Sequence, residues 1–226
     1  WKTYVGRPET DSSRQLAFGV LGNGLQRACH YEDALSVRET ELSMLRRHGA
    51  DEEVIFAVQQ NLAGTYRSLG RLDDCLRTQQ DVYSRTLELY GEESPEALGT
   101  ANNYAVSLKD LSRFEETKSL LRKMMPVARR VLGEDDTLTL RIRWAYADAL
   151  CRDPNTTLDD FREAATTLEE TAPTARRVLG GAHPITGGIE AALQSARAAL
   201  RAHEEAAPGD VSSICEAVEA MTPGDF

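Results

Sequence analysis

Apolar residues recur at helical spacing along most of the chain, broken at intervals by short polar or glycine-containing stretches. The pattern predicts nine helices, near residues 14–28, 31–48, 52–69, 72–90, 95–111, 114–132, 137–151, 157–179 and 184–205. The punctuation is specific in places. Ser94 precedes Pro95 as an N-cap before a first-turn proline, Asp51 stands before another helix, and Gly70 and Gly133 fall at ends. Ser112 and Glu115 have the spacing of a capping box, which predicts a helix starting from Ser112.

The segments are copies of one another. Met125-Pro126-Val127-Ala128-Arg129-Arg130-Val131-Leu132-Gly133 returns 47 residues later as Ala172-Pro173-Thr174-Ala175-Arg176-Arg177-Val178-Leu179-Gly180, while Gly49, Gly91 and Gly133 are spaced by 42. Tyr31-Glu32-Asp33-Ala34-Leu35 corresponds in the same way to Leu72-Asp73-Asp74-Cys75-Leu76, Phe114-Glu115-Glu116-Thr117-Lys118 and Phe161-Arg162-Glu163-Ala164-Ala165. The unit is therefore 42 residues, and Asp153-Pro154-Asn155-Thr156-Thr157 is a five-residue insertion rich in turn formers. Each unit is a helix pair too short to bury its own apolar face, so the pairs must stack. The expected fold is all-α, a right-handed α-solenoid of antiparallel helix pairs. Pro126 and Pro173, at one repeat position inside the second helix, are expected to bend it. Residues 1–13 read as a lead-in, 14–205 as the solenoid of about four and a half repeats, and 206–226 as a linker with a short capping helix at Val211–Met221.

Leu179-Gly180 with His183-Pro184, Gln60-Asn61-Leu62-Ala63 and Asn102-Asn103-Tyr104-Ala105, and Gly70-Arg71-Leu72 with Tyr31 and Ala34 together form a pattern. It resembles the kinesin light chain class of tetratricopeptide repeats over residues 14–205. Two places depart from it: Trp144-Ala145-Tyr146-Ala147 replaces the paired asparagines, and the first unit reads Phe18-Gly19-Val20-Leu21-Gly22 without the usual glycine anchor. The resemblance implies a protein-interaction module whose first helices line a concave groove. The residues it projects onto that groove are Asn23, Gln26, Arg27, Gln60, Arg67, Asn102, Lys109, Arg141, Trp144, Asp148 and Arg152.

Charge sharpens the expectation about the partner. The chain has 26 Lys plus Arg against 36 Asp plus Glu, a net of −10, which disfavours nucleic acid. The projected groove is inverted in sign, with Arg27, Arg67, Lys109, Arg141 and Arg152 against Asp110 and Asp148. A protein or peptide partner with an acidic segment fits that contrast. The alternative is a structural subunit docked into a larger complex through its convex surface or ends. No run of 18 apolar residues exists to span a membrane. A start at Trp1 is expected of a processed or truncated chain, which leaves the compartment open with the cytoplasm favoured.

Searches for chemistry return structural readings. Gly19-Val20-Leu21-Gly22-Asn23-Gly24 has the wrong order for a dinucleotide fingerprint and predicts close helix packing or a turn. His30, His48, His183 and His203 are scattered, so no metal site or cofactor is expected. Asp73-Asp74, Glu115-Glu116 and Asp159-Asp160 suit first helical turns, where carboxylates favour the helix dipole. Cys29, Cys75, Cys151 and Cys215 are isolated and read as reduced core residues. Asn155-Thr156-Thr157 is a glycosylation sequon, relevant only in a secreted protein. No catalytic constellation emerges, and the chain reads as a non-enzyme.

Overall fold

A computed structural model describes Gly6, Pro8 and residues 11–206. Of the expected linker and capping helix at 206–226, Ala206 ends a helix and the rest, Cys215 included, lies outside the described residues, as does most of the expected lead-in 1–13. Among the described residues there are nine helices: α1 (Ser12–Arg27), α2 (Tyr31–Arg47), α3 (Glu52–Ser68), α4 (Leu72–Tyr90), α5 (Pro95–Asp110), α6 (Phe114–Val131), α7 (Thr137–Arg152), α8 (Leu158–Leu179) and α9 (Pro184–Ala206). Each boundary falls within two residues of the sequence reading. None of these helices is long and apolar enough to cross a membrane.

Three first helices and three second helices start by different means, while the first helix α3 has no side-chain bond from its N-cap Asp51. Asp11, Ser94 and Asp136 are extended N-caps whose side chains accept backbone N–H bonds from Arg14 (2.9 Å), Ala97 (3.1 Å) and Leu138 (2.7 Å). The second helices α2, α4 and α6 have no side-chain cap. Each follows a residue in the left-handed region, Cys29 (φ 60°), Gly70 (φ 72°) and Ser112 (φ 57°). In all three turns the next backbone N–H reaches back to a carbonyl of the first helix at 2.9 Å: His30 to Leu25, Arg71 to Tyr66, Arg113 to Leu108. This corrects the expected Ser112–Glu115 capping box. Ser112 closes α5 in a left-handed turn, and Glu116, not Glu115, pairs with Arg113 at 2.6 Å. It also corrects Cys29, which is an exposed turn residue and not part of the core. The capping box that does form is Thr157 with Asp160, at the end of the insertion.

Consecutive helices pack in sequence from α1 to α9, and α5 also touches α7 as α7 touches α9. First helices of successive pairs thus lie nearest one another at this end, which puts them on the inner side of the stack. Small residues permit the close approach: Ala34, Ala63, Ala97, Ala101, Ala105, Ala147 and Ala164 are completely buried. Leu98, Leu121, Leu140, Ile142, Tyr146, Leu168 and Ile189 fill the main core from α5 to α9, and Leu35, Leu45, Ile55 and Leu62 a second one between α2 and α3. The Gly19-to-Gly24 run lies within α1. A Cβ on Gly22 would stand 3.2 Å from Nε of the buried Arg38, so glycine there serves packing. Arg38 in turn joins α1 to α3, donating to Asn23 Oδ1 (2.9 Å), to Thr65 Oγ1 (2.7 Å) and to the Asn61 carbonyl.

The insertion is tied to the body by a buried ion pair. Lys118 Nζ of α6 lies 2.7 Å from Asp153 Oδ2, and the Asp153 side chain is only 3% exposed. Lys118 and the backbone N–H of Asn155 hold the Asp153 carboxyl below its ordinary range. Pro126 and Pro173 lie inside α6 and α8. Both are exposed, so the rings occupy no core space.

Candidate functional site

The projected groove residues lie on α1, α3, α5 and α7, and four of the eleven, Gln26, Arg67, Lys109 and Trp144, contact the next repeat. Gln26 donates to Ser68 Oγ at 2.8 Å and accepts from Thr65 Oγ1 at 3.0 Å. Arg67 pairs with Asp110 at 2.6 Å, Lys109 with Asp148 at 2.6 Å, and Arg152 approaches Asp148 at 3.8 Å. The first two pairs form a ladder across consecutive first helices, which Arg152 joins from within α7. Three of the five projected cations are therefore neutralised by carboxylates of the chain itself. Arg27 and Arg141 make no ion pair among the described residues, and Asn23 is occupied by Arg38.

Between α3, α5 and α7 the inner surface opens into a cavity of about 610 Å³, within the size range of small-ligand and side-chain sites. Gln60, Asn102 and Arg141 line it together with Phe56, Ala57 and Gly99. Asn102 is 2% exposed, and its Nδ2 has no hydrogen-bond partner among the described residues. An amide donor in that state is costly unless an occupant supplies an acceptor.

The repeat explains why the space is open here and closed one unit later. Asn102 and Arg141 correspond, at equal distances from their helix starts, to Trp144 and Gly188. The half-buried Trp144 ring lies directly over Gly188, where an added Cβ would meet Trp144 Cη2 at 2.4 Å. Trp144 thus fills between α7 and α9 the volume that Asn102 leaves empty between α5 and α7. It is packed within the chain, against the core and over Gly188, rather than standing free in a groove.

The sequence reading missed one side of this cavity. Glu53 and Glu96, each the second residue of its helix, line it with the N-cap Asp136 and with Tyr90 from the end of α4. Tyr90 Oη lies 3.3 Å from Glu53 Oε1, and desolvation followed by the charges of Glu53, Glu96 and Glu52 raises its pKa. Acidic residues in a first turn are so often mere dipole partners that no signal separated these two from the rest. Arg85 of α4 pairs with Glu52, the neighbour of Glu53 in α3.

Among the described residues no group of three His, Cys, Asp or Glu side chains is disposed to hold a metal ion. Cys75 is buried, and desolvation raises its pKa; the Cys151 thiol, half-buried, is pushed up by desolvation, and then by Asp148, to about 11. Neither is an activated nucleophile.

Residues 57–96 and 97–137 match the tetratricopeptide repeat family. No curated protein matches the chain in sequence. Solved structures do match in fold. A candidate kinesin light chain of Podosopora anserina, with nearly identical TPR-like repeats, superposes with a TM-score of 0.70 at 19% identity, covering 93% of this chain and 96% of that one. A variant of the same protein gives 0.71 at 19% identity, covering 92% and 94%. BtubC (BKLC) from P. vanneervenii gives 0.64 at 17% identity, covering 95% and 84%. With the 42-residue period, the inner layer of first helices and these matches together, residues 57–137 are tetratricopeptide repeats and the chain shares the fold of the solved kinesin light chain-type repeat structures.

Proposed function

We propose that the protein is a non-catalytic adaptor that holds a partner peptide against the inner surface formed by α1, α3, α5 and α7, within a binding unit spanning residues 14–205. The observation that carries this reading is the open cavity between α3, α5 and α7, where Asn102 keeps an unpaired buried amide beside Arg141. Gln60 and Asn103 line the same space and add polar groups able to bond an extended backbone. An acidic stretch in the partner has support from Arg27 and Arg141 alone, because Arg67, Lys109 and Arg152 are engaged in the ladder.

A steric block tests the proposal. A side chain on Gly99 would extend into open space, since nothing stands within 4 Å of an added Cβ. Gly99→Trp should fill the cavity as Trp144 fills the next one. Peptides selected on the immobilised chain from a random library should bind the parent in calorimetry and lose affinity for Gly99→Trp, while Arg129→Glu on α6 leaves binding unchanged. Selected peptides that bind Gly99→Trp as well as the parent would place recognition on another face.

A further inference from the structure

The cavity is not uniformly cationic, as the projected groove positions suggested. Arg141 and the Asn102 amide present donors on one side, while Glu53, Glu96 and the Tyr90 ring present acceptors and an aromatic face on the other. Asp136 adds a third carboxylate to the lining, although its Oδ1 already accepts from Leu138 N. Three carboxylates against one arginine leave the lining negative. Such a lining complements an organic cation, since among the described residues no three acids are disposed to hold a metal ion.

On the reading of this cavity as a peptide site, we infer that it takes a dipolar segment. A lysine or arginine side chain lies against Glu53, Glu96 and the exposed face of Tyr90, and a neighbouring carboxylate or carbonyl is held by Arg141 and Asn102. Two independent observations meet here. The acidic side has an aromatic surface suited to a guanidinium or ammonium group, and Tyr90 is 38% exposed. The donor side has a buried amide without a partner, which an acceptor on the ligand would satisfy. A uniformly acidic peptide would pair with Arg141 but set its remaining charges against Glu53 and Glu96, a mismatch that disfavours it.

The test uses three blocked pentapeptides: acetyl-Gly-Arg-Ala-Glu-Gly-amide, the same peptide with citrulline for arginine, and the same with glutamine for glutamate. Each is titrated into the isotope-labelled chain by NMR. The arginine–glutamate peptide should shift the Gly99 backbone and Asn102 side-chain amide signals, and each neutralised peptide should bind roughly two- to fivefold more weakly, as loss of partly exposed charge pairs implies. In the double variant Glu53→Gln/Glu96→Gln the arginine and citrulline peptides should become indistinguishable. Equal binding of all three peptides, or tighter binding of the citrulline peptide, overturns the inference. Shifts confined to the Arg27 and Gln26 end also overturn it while leaving the groove intact. If neither these probes nor library-selected peptides move any signal on α1, α3, α5 or α7, the groove itself is refuted.

Discussion

Gly187 and Gly188 are adjacent in α9, and replacing each by alanine should give opposite results. Both substitutions remove the entropic penalty of glycine in a helix, a gain of about 0.8–1.0 kcal/mol. At Gly187 nothing lies within 4 Å of the added Cβ, so Gly187→Ala should stabilise by about that amount. At Gly188 the new Cβ would stand 2.4 and 2.5 Å from Cη2 and Cζ2 of Trp144, about 1 Å inside the optimum carbon–carbon separation. Overpacking of that kind costs about 1–3 kcal/mol. Because the propensity gain is common to both variants, the difference between them isolates the clash and should equal that cost. Urea denaturation followed by circular dichroism measures it, with Trp144 fluorescence as a local reporter. Repeating both substitutions in a Trp144→Ala background should make them equally stabilising, since the clashing ring is gone. If Gly188→Ala stabilises as much as Gly187→Ala while Trp144 is present, the ring is not held over α9. Its account as the residue that fills the equivalent space between α7 and α9 would then fail.

Three further outcomes follow from particular contacts. Ser112 and Cys29 occupy left-handed turn positions at φ 57° and 60°, where L side chains cost about 1–2 kcal/mol; after glycine's own entropic cost, Ser112→Gly and Cys29→Gly should each raise stability in thermal melts by about 0.5–1 kcal/mol, and a loss would contradict the assigned turn. Glu41 is buried, and desolvation, opposed by the charge of Arg38, raises its pKa to about 7 from an ordinary 4.5. The folded state then holds the proton more tightly than the unfolded one, so this stabilisation is complete below about pH 4.5 and is lost as pH rises through about 7. Glu41→Gln should abolish that dependence and be the more stable form at pH 8; parallel stability–pH curves would refute it. Lys118→Met leaves the Asp153 carboxylate buried without its partner and should cost about 3–5 kcal/mol in urea denaturation. Lys118→Met/Asp153→Asn should recover much of the loss, whereas additive losses would mean that the pair is not coupled.

The architecture was legible in the chain because a solenoid is built from local information repeated. Helix ends marked by Ser94-Pro95, Gly70 and Gly133 are decided within a few residues of sequence. Once the 42-residue copies are aligned, the stacking of helix pairs follows from the apolar faces they cannot bury alone. The projected positions Gln60, Asn102 and Arg141 do line one cavity, since positions on the same face of each first helix turn to one side when the helices stack. Local pattern failed where two readings share one signature. Ser112-x-x-Glu115 has the spacing of a cap, but the chain reversal between α5 and α6 needs a left-handed residue there, and that requirement wins.

What the sequence by itself did not contain was who meets whom across repeats. Arg67 and Lys109 read as part of a free cationic stripe because Asp110 and Asp148, one repeat away along the chain, are placed beside them only when the helices stack. The same holds for Trp144, an open anchor in the alignment and a filler over Gly188 in the fold, and for Tyr90 with Glu53 and Glu96, drawn from three helices to one wall. Composition and period determine the scaffold, because its contacts are local and periodic. The charge and volume of the site depend on pairings between helices of different repeats, which only the tertiary structure decides.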